Sequence, residues 1–203
     1  MALQARTLTQ VKIATFLLAL LPLAKLMLDA WQDGLGANPI ETITHRTGYW
    51  TLTFLLITLT ATPLRQLFGW LWPIRLRRML GLFAFFYACL HFLTYLVLDQ
   101  FFDWTSIVED VVKRPYITVG FSAFVLLIPL AVTSNNAMIR RLGSKNWQRL
   151  HRLVYLIGIG GVIHFAWLVK KDLSQPLMFA AMLSILLSIR VLKWSQKIGR
   201  PAV

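Results

Sequence analysis

Residues 150–168 read LHRLVYLIGIGGVIHFAWL. They form one apolar run, broken by charge only near its start, and carry two histidines, His151 and His164. As a helix the run is long enough to cross a hydrocarbon core of about 30 Å. With about 1.5 Å of rise per residue, the two imidazoles sit roughly 20 Å apart along the axis, one near each membrane face. A third histidine, His91, lies inside a second such run. Ionisable side chains at membrane depth are costly and mark functional sites. Three histidines so placed fit a membrane haem protein whose iron is held by imidazoles from a helix bundle.

The rest of the chain repeats this pattern. Of 203 residues, 57% are hydrophobic and 14% charged. The apolar residues gather into six runs: Ile13 to Ala30, Thr47 to Pro63, Met79 to Leu98, Pro115 to Val132, Leu150 to Val169 and Leu177 to Val191. The expected fold is therefore all-α, a polytopic bundle of six transmembrane helices forming one domain over residues 1–203, with short connections. The first run contains Pro22, Lys25 and Asp29 but is followed by no small-residue cleavage site, so it is expected to be retained as a span.

Charge sets the orientation. Most of the 21 basic residues fall at the amino end (Arg6, Lys12), in the connection carrying Arg65, Arg75, Arg77 and Arg78, in the connection from Arg140 to Arg152, and in the tail (Arg190, Lys193, Lys197, Arg200). The positive-inside bias makes these regions cytoplasmic, with both termini inside. All eight acids, including Asp99, Asp103, Glu109 and Asp110, fall at or next to the opposite side. A net charge of +13 does not imply nucleic acid here, because basic loops flanking apolar spans meet anionic lipid headgroups first. The eight tryptophans, Trp31, Trp50, Trp70, Trp72, Trp104, Trp147, Trp167 and Trp194, read as interfacial anchors at segment ends. The single cysteine, Cys89, has no partner for a disulfide or a thiolate cluster, so a metal must rely on histidine.

Depth pairs the histidines. Counted from the basic side, His91 lies about 18 Å beyond Met79 and His164 about 20 Å beyond His151. The third and fifth spans thus bring imidazoles to one level, as a six-coordinate haem iron requires. His151 lies near the inner surface, where Arg77, Arg78 and Arg152 are placed to meet haem propionates through charge-assisted bonds. No second intramembrane histidine shares that depth, so an inner haem would need an unusual axial partner, an open position, or a histidine shared through some other geometry. At about 100° per residue, His151 and His164 point about 140° apart on a straight helix. Gly158, Gly160 and Gly161 between them either permit a bend, admit a porphyrin, or serve as packing positions.

Plainer readings stand beside these. A buried histidine can simply bond a carbonyl or hydroxyl of another helix, and His151, flanked by Arg149 and Arg152, can be a solvated surface residue. His45 reads as structural or proton-handling. Lys25 and Asp29, four positions apart, read as an ion pair.

The stretches GLGANPIE, LLITLTATPLRQ, RLRRMLGLFAFFYACLHFLTY, KRPYITVG and LAVTSNNAMIRRLGSKNWQRLHRLVYLIGIGGVIHFAWLVK resemble the MsrQ (YedZ) family over nearly the whole chain. This family is a branch of the ferric-reductase-like membrane domains. The resemblance implies a bacterial inner-membrane electron-transfer subunit with haem b, one or two per chain, and FMN. Its electrons would come from quinol or a cytoplasmic flavin reductase and pass to a periplasmic MsrP-like molybdopterin enzyme, which reduces methionine sulfoxide in oxidised proteins. Carried over by residue, His91 and His164 are the implied iron ligands and His151 a third haem-associated histidine. Related oxidases and ferric reductases have two histidines on each of two helices and an appended flavin and nicotinamide domain. Here the third span has only His91, with Arg77 fourteen positions earlier, and the chain is expected to draw electrons from a separate donor.

The expected mechanism is outward electron transfer without bond chemistry of its own, the sulfoxide reduction falling to the partner. The acidic outer loops with Trp104 would meet that partner, and the cytoplasmic arginine loops offer charge to the flavin phosphate. A stand-alone quinol-cytochrome b oxidoreductase with another acceptor has the same helices and histidines. A non-redox transporter or assembly factor is the remaining class, and it predicts a colourless protein.

Overall fold

The computed structural model describes residues 4–169 and 172–198. Among them, nine α-helices follow one another: α1 (Ala5–Trp31), α2 (Pro39–Phe68), α3 (Trp72–Leu93), α4 (Trp104–Lys113), α5 (Pro115–Val132), α6 (Asn136–Leu142), α7 (Ser144–His151), α8 (Leu153–Leu168) and α9 (Ser174–Ile198). A π-helical turn, Thr94–Asp99, extends α3. Six of the resulting helical stretches, α1, α2, α3 with its π-turn, α5, α7 with α8, and α9, are long and apolar enough to cross a membrane. The protein is a multi-pass membrane protein. Accordingly, large apolar side chains such as Leu18, Met27, Ile185 and Leu192 face outward, where lipid rather than water receives them.

The helices begin and end where local chemistry dictates. Asn38 caps α2 by accepting from the Glu41 amide, with Pro39 at the first helical position. Gly69 closes the same helix at a left-handed φ of 69°. Within α2, Thr44, Thr47, Thr51, Thr53 and Thr58 return their hydroxyl protons to carbonyls one turn back, which hides polarity from lipid.

Pro22 removes an amide from the middle of α1 and disturbs its ladder. Tyr87 of α3 enters the disturbed turn: its hydroxyl donates to the Ala19 carbonyl at 2.8 Å and accepts from the Leu23 amide at 3.2 Å. This is how a neighbouring helix makes proline tolerable in a span. Tyr87 is fully buried and stacks on Phe54 of α2, so the repair also locks α1, α2 and α3 together. Near the acidic end, Asp29 pairs with Lys25, as the four-residue spacing predicts, and also with Arg46 of α2.

Two departures from the sequence reading matter for function. The fifth span does not bend at Gly158, Gly160 and Gly161. It breaks at Arg152, between α7 and α8, and the glycines lie within an unbroken α8. A Cβ on Gly158 would meet Leu183 of α9, and one on Gly161 would meet Leu52 of α2, so these positions serve close helix packing. The connection after α3 is also structured. It turns through Phe101 and Phe102, both at positive φ, into the amphipathic α4, capped by Asp103. The Asp103 carboxylate accepts from Ser106 and from the Ser106 and Thr105 amides, which holds it below the usual carboxylate range.

Most tryptophans sit at helix ends, but Trp50 does not. α2 starts earlier than its apolar run, which places Trp50 well inside the helix, half-buried against Phe54. Arg200 lies outside the described residues, as do the side chains of Trp194 and Lys197.

Candidate functional site

α3 and α8 bring His91 and His164 together, with ring centroids 6.1 Å apart and ring planes crossing at 79°. Both rings are oriented from behind by backbone carbonyls. His91 Nδ1 lies 2.9 Å from the Thr44 carbonyl of α2, and His164 Nδ1 lies 2.7 Å from the Tyr116 carbonyl of α5. A carbonyl only accepts, so each Nδ1 carries the proton and each Nε2 keeps its lone pair. This is the arrangement that fixes a metal-ligating imidazole, its far nitrogen donating to a fixed acceptor.

Two glycines make room for the rings. A Cβ built on Gly120 of α5 would approach His164 Nδ1 to 2.6 Å, and one on Gly48 of α2 would approach His91 Nδ1 to 3.1 Å. Each histidine therefore lies against the bare backbone of the helix whose carbonyl orients it. Gly48 and Gly120 are positions against the rings that the sequence alone does not single out. A glycine that matters only to a ring on another helix has no local signature.

The two rings line a cavity enclosing about 1520 Å³ of atom-free space, its open mouth included. Its walls are apolar, with Leu52, Leu55, Phe92, Phe124, Ile157 and Phe165 among them. Polar side chains gather at one end, where His45, Tyr95, Asp99 and Arg114 lie. α4 roofs that end: Ile107 and Val111 line the cavity, while Val108 and Val112 on the other face are exposed. The π-turn supplies Tyr95 and Asp99, a wider helical turn at a site as is common for such turns.

Two imidazoles on opposite sides of one metal, at bond lengths of about 2 Å, hold their centroids roughly 6 Å apart. The observed spacing therefore matches a shared axial site. Among the described residues, no group of three or more His, Cys, Asp or Glu side chains is placed to hold a metal. The donor set suits a metal that brings its equatorial ligands with it, and the surrounding apolar slot suits a flat macrocycle.

His151 is arranged differently. Trp147 stacks on its ring at 3.9 Å, and the Trp147 indole donates to the Thr133 carbonyl. The buried Thr133 hydroxyl donates to the Pro129 carbonyl, so its oxygen receives the proton of His151 Nε2 at 3.0 Å. The nitrogen that is free in His91 and His164 is thus engaged in His151. The arginines singled out with it also lie at the basic end and not around the cavity. Arg78 donates to Asn136 at 2.6 Å, and Arg77 and Arg152 are exposed. Nearby, Arg190 of α9 lies over the Tyr155 ring and donates to the Leu59 and Leu186 carbonyls, tying α9 to α2.

Comparison with known proteins also finds a transmembrane family. Residues 44–162 match the family model described as the ferric reductase like transmembrane component, and that stretch includes His91 and His151 and ends just before His164. Over 91% of its length the chain is 60% identical to a protein of Herminiimonas arsenicoxydans, named protein-methionine-sulfoxide reductase heme-binding subunit MsrQ, and covers 85% of it. Proteins of the same name from Azospira oryzae and Rhodospirillum rubrum are 53% and 56% identical over 98% and 89% of the chain, with 88% and 86% of those proteins covered. The chain belongs to the MsrQ family.

Proposed function

We propose that this protein is the haem-binding, electron-transferring membrane subunit of a methionine sulfoxide reductase system, with haem b held between His91 and His164. The observation that carries the reading is the pair of opposed rings, each with Nδ1 spent on a backbone carbonyl and Nε2 left for iron. Bound there, haem would supply one-electron redox chemistry, its potential set by axial ligation and the apolar surroundings. The chain's own residues do the rest. Thr44 and Tyr116 aim the ligands, Gly48 and Gly120 give the rings space, and the aromatic and aliphatic walls exclude water. The pair supports one haem; a second at His151 requires its Nε2 to leave Thr133.

The basic end is cytoplasmic and the acidic end periplasmic in this reading, since basic loops are retained inside the bacterial inner membrane. Six spans then return both termini to the cytoplasm. Quinol or a cytoplasmic flavin reductase donates electrons, and FMN binds where the arginines of the basic end meet its phosphate. A periplasmic MsrP-like molybdopterin enzyme accepts the electrons at the acidic loops and reduces methionine sulfoxide in damaged proteins. No bond chemistry falls to this chain.

The test is reduction of the purified protein followed by rapid mixing with the partner reductase and a sulfoxide-containing protein. Re-oxidation of the haem spectrum that depends on both additions supports the function. Re-oxidation unaffected by the partner would sink it.

A further inference from the structure

The His91–His164 cavity is polar at only one end, and this fixes which way a carboxylate-bearing ligand lies in it. Toward the basic end the lining is Leu55, Leu127 and Ile157, none of which can receive a charge. Toward the acidic end lie His45, Tyr95, Asp99, Arg114 and Tyr116. Among the described residues lining the cavity, Arg114 is the only lysine or arginine. It stands immediately before α5, six residues ahead of Gly120, and so roughly 9 Å along the axis from the level of His164.

Arg114 is also held in place. Its Nε lies 3.1 Å from Asp110, whose side chain is only 12% exposed. Gln100 donates to the other Asp110 oxygen at 3.2 Å, and the Tyr95 hydroxyl donates to it at 3.4 Å. The Asp110 carboxylate raises Arg114 above its ordinary range, so the guanidinium is charged at every accessible pH. A guanidinium has five N–H donors in a planar fork, and pairing with Asp110 through Nε and with the Tyr116 side chain still leaves N–H groups for a second carboxylate. Asp99 at the same mouth opposes that second carboxylate, which makes Arg114 the group on which its binding depends.

Resting on the haem reading above, we infer that Arg114 is a positioning residue that binds a haem propionate, so that the propionates emerge under α4 at the acidic end of the protein. Arg77, Arg78 and Arg152, which the sequence offers as propionate partners beside His151, do not line this cavity.

The experiment measures transfer of haem from the full-length, detergent-purified protein to excess apomyoglobin. Wild type, Arg114→Gln and Arg114→Lys are each loaded either with protohaem or with its dimethyl ester, whose propionates carry no charge. Loss of one charge-assisted hydrogen bond predicts protohaem leaving Arg114→Gln about ten times faster or more, with the ester little changed and Arg114→Lys intermediate. Equal acceleration for both ligands means that Arg114 only supports the fold, and overturns the inference. Unchanged protohaem release overturns it too. Wild type that takes up neither ligand overturns the haem reading itself, a result distinct from either of those.

Discussion

The two ends of this protein use the same side chain in opposite ways. At the acidic end, His91 and His164 give their Nδ1 protons to main-chain carbonyls and keep Nε2 for something not supplied by the protein. At the basic end, His151 gives its Nε2 proton to Thr133, and its ring face is covered by Trp147. The first arrangement is complete only with a ligand; the second is satisfied internally. In the proposed reading, what separates His91 and His164 from His151 as ligands is which nitrogen the neighbouring helix occupies, not depth in the membrane.

The largest effect that could break this contrast is on haem content. His91→Ala and His164→Ala are each expected to abolish stable low-spin haem, whereas His151→Ala retains it at the level of the unaltered protein, by pyridine haemochrome assay. Loss in His151→Ala alone would reverse the roles of the two ends.

The glycines sharpen the same comparison. Gly120→Ala forces a Cβ to within 2.6 Å of the His164 ring, and Gly48→Ala meets the His91 ring at 3.1 Å. Overpacking of this kind costs about 1–3 kcal/mol. Gly120→Ala is expected to convert much of the haem to a high-spin, five-coordinate form, and Gly48→Ala to do so less, read from the Soret and visible bands. Equal, unperturbed spectra would mean that the rings are not held against these backbones.

At the other end, Thr133→Val removes the acceptor of His151 and leaves a half-buried N–H unpaired. Leaving a buried donor unsatisfied costs roughly 1–3 kcal/mol. A lower thermal unfolding midpoint with an unchanged haem spectrum is expected. A changed haem spectrum would show that His151 belongs to the haem site after all.

The smallest effect is at the roof of the cavity. Asp103 is held below its ordinary range by its capping bonds, so its contribution to α4 is present above the unfolded carboxylate value of about 3.9 and is lost as pH falls through the lower folded value. Protection of the amides of residues 104–107 relative to their intrinsic exchange rates is expected to fall below about pH 4, and Asp103→Ala is expected to show that lower protection already at neutral pH.

Much of this could be read from the chain. The six spans follow from apolar runs bounded by charge, and the common level of His91 and His164 follows from counting residues inward from Met79 and His151. What depends on approach between helices could not be read. The carbonyls of Thr44 and Tyr116 are main-chain groups any residue would supply, and Gly48 and Gly120 resemble ordinary packing glycines until the opposing ring is in place. The glycines of GIGG instead pack against Leu52 and Leu55 of α2, Val119 and Ala123 of α5, and Leu183 of α9. Arg114 was hidden for a related reason. In KRPYITVG it reads as one charge of a short connection, and only the fold of α4 over the cavity brings it to the mouth. The break at Arg152 likewise has no proline or glycine beside it to announce it.

The most direct test of the paired-imidazole site is the low-temperature electron paramagnetic resonance spectrum of the oxidised, haem-loaded protein. Two neutral imidazoles whose planes cross at 79° predict a highly anisotropic low-spin ferric signal, present in the unaltered protein and in His151→Ala alike. A high-spin ferric signal from the unaltered protein, or a low-spin signal that disappears in His151→Ala, would contradict coordination by His91 and His164.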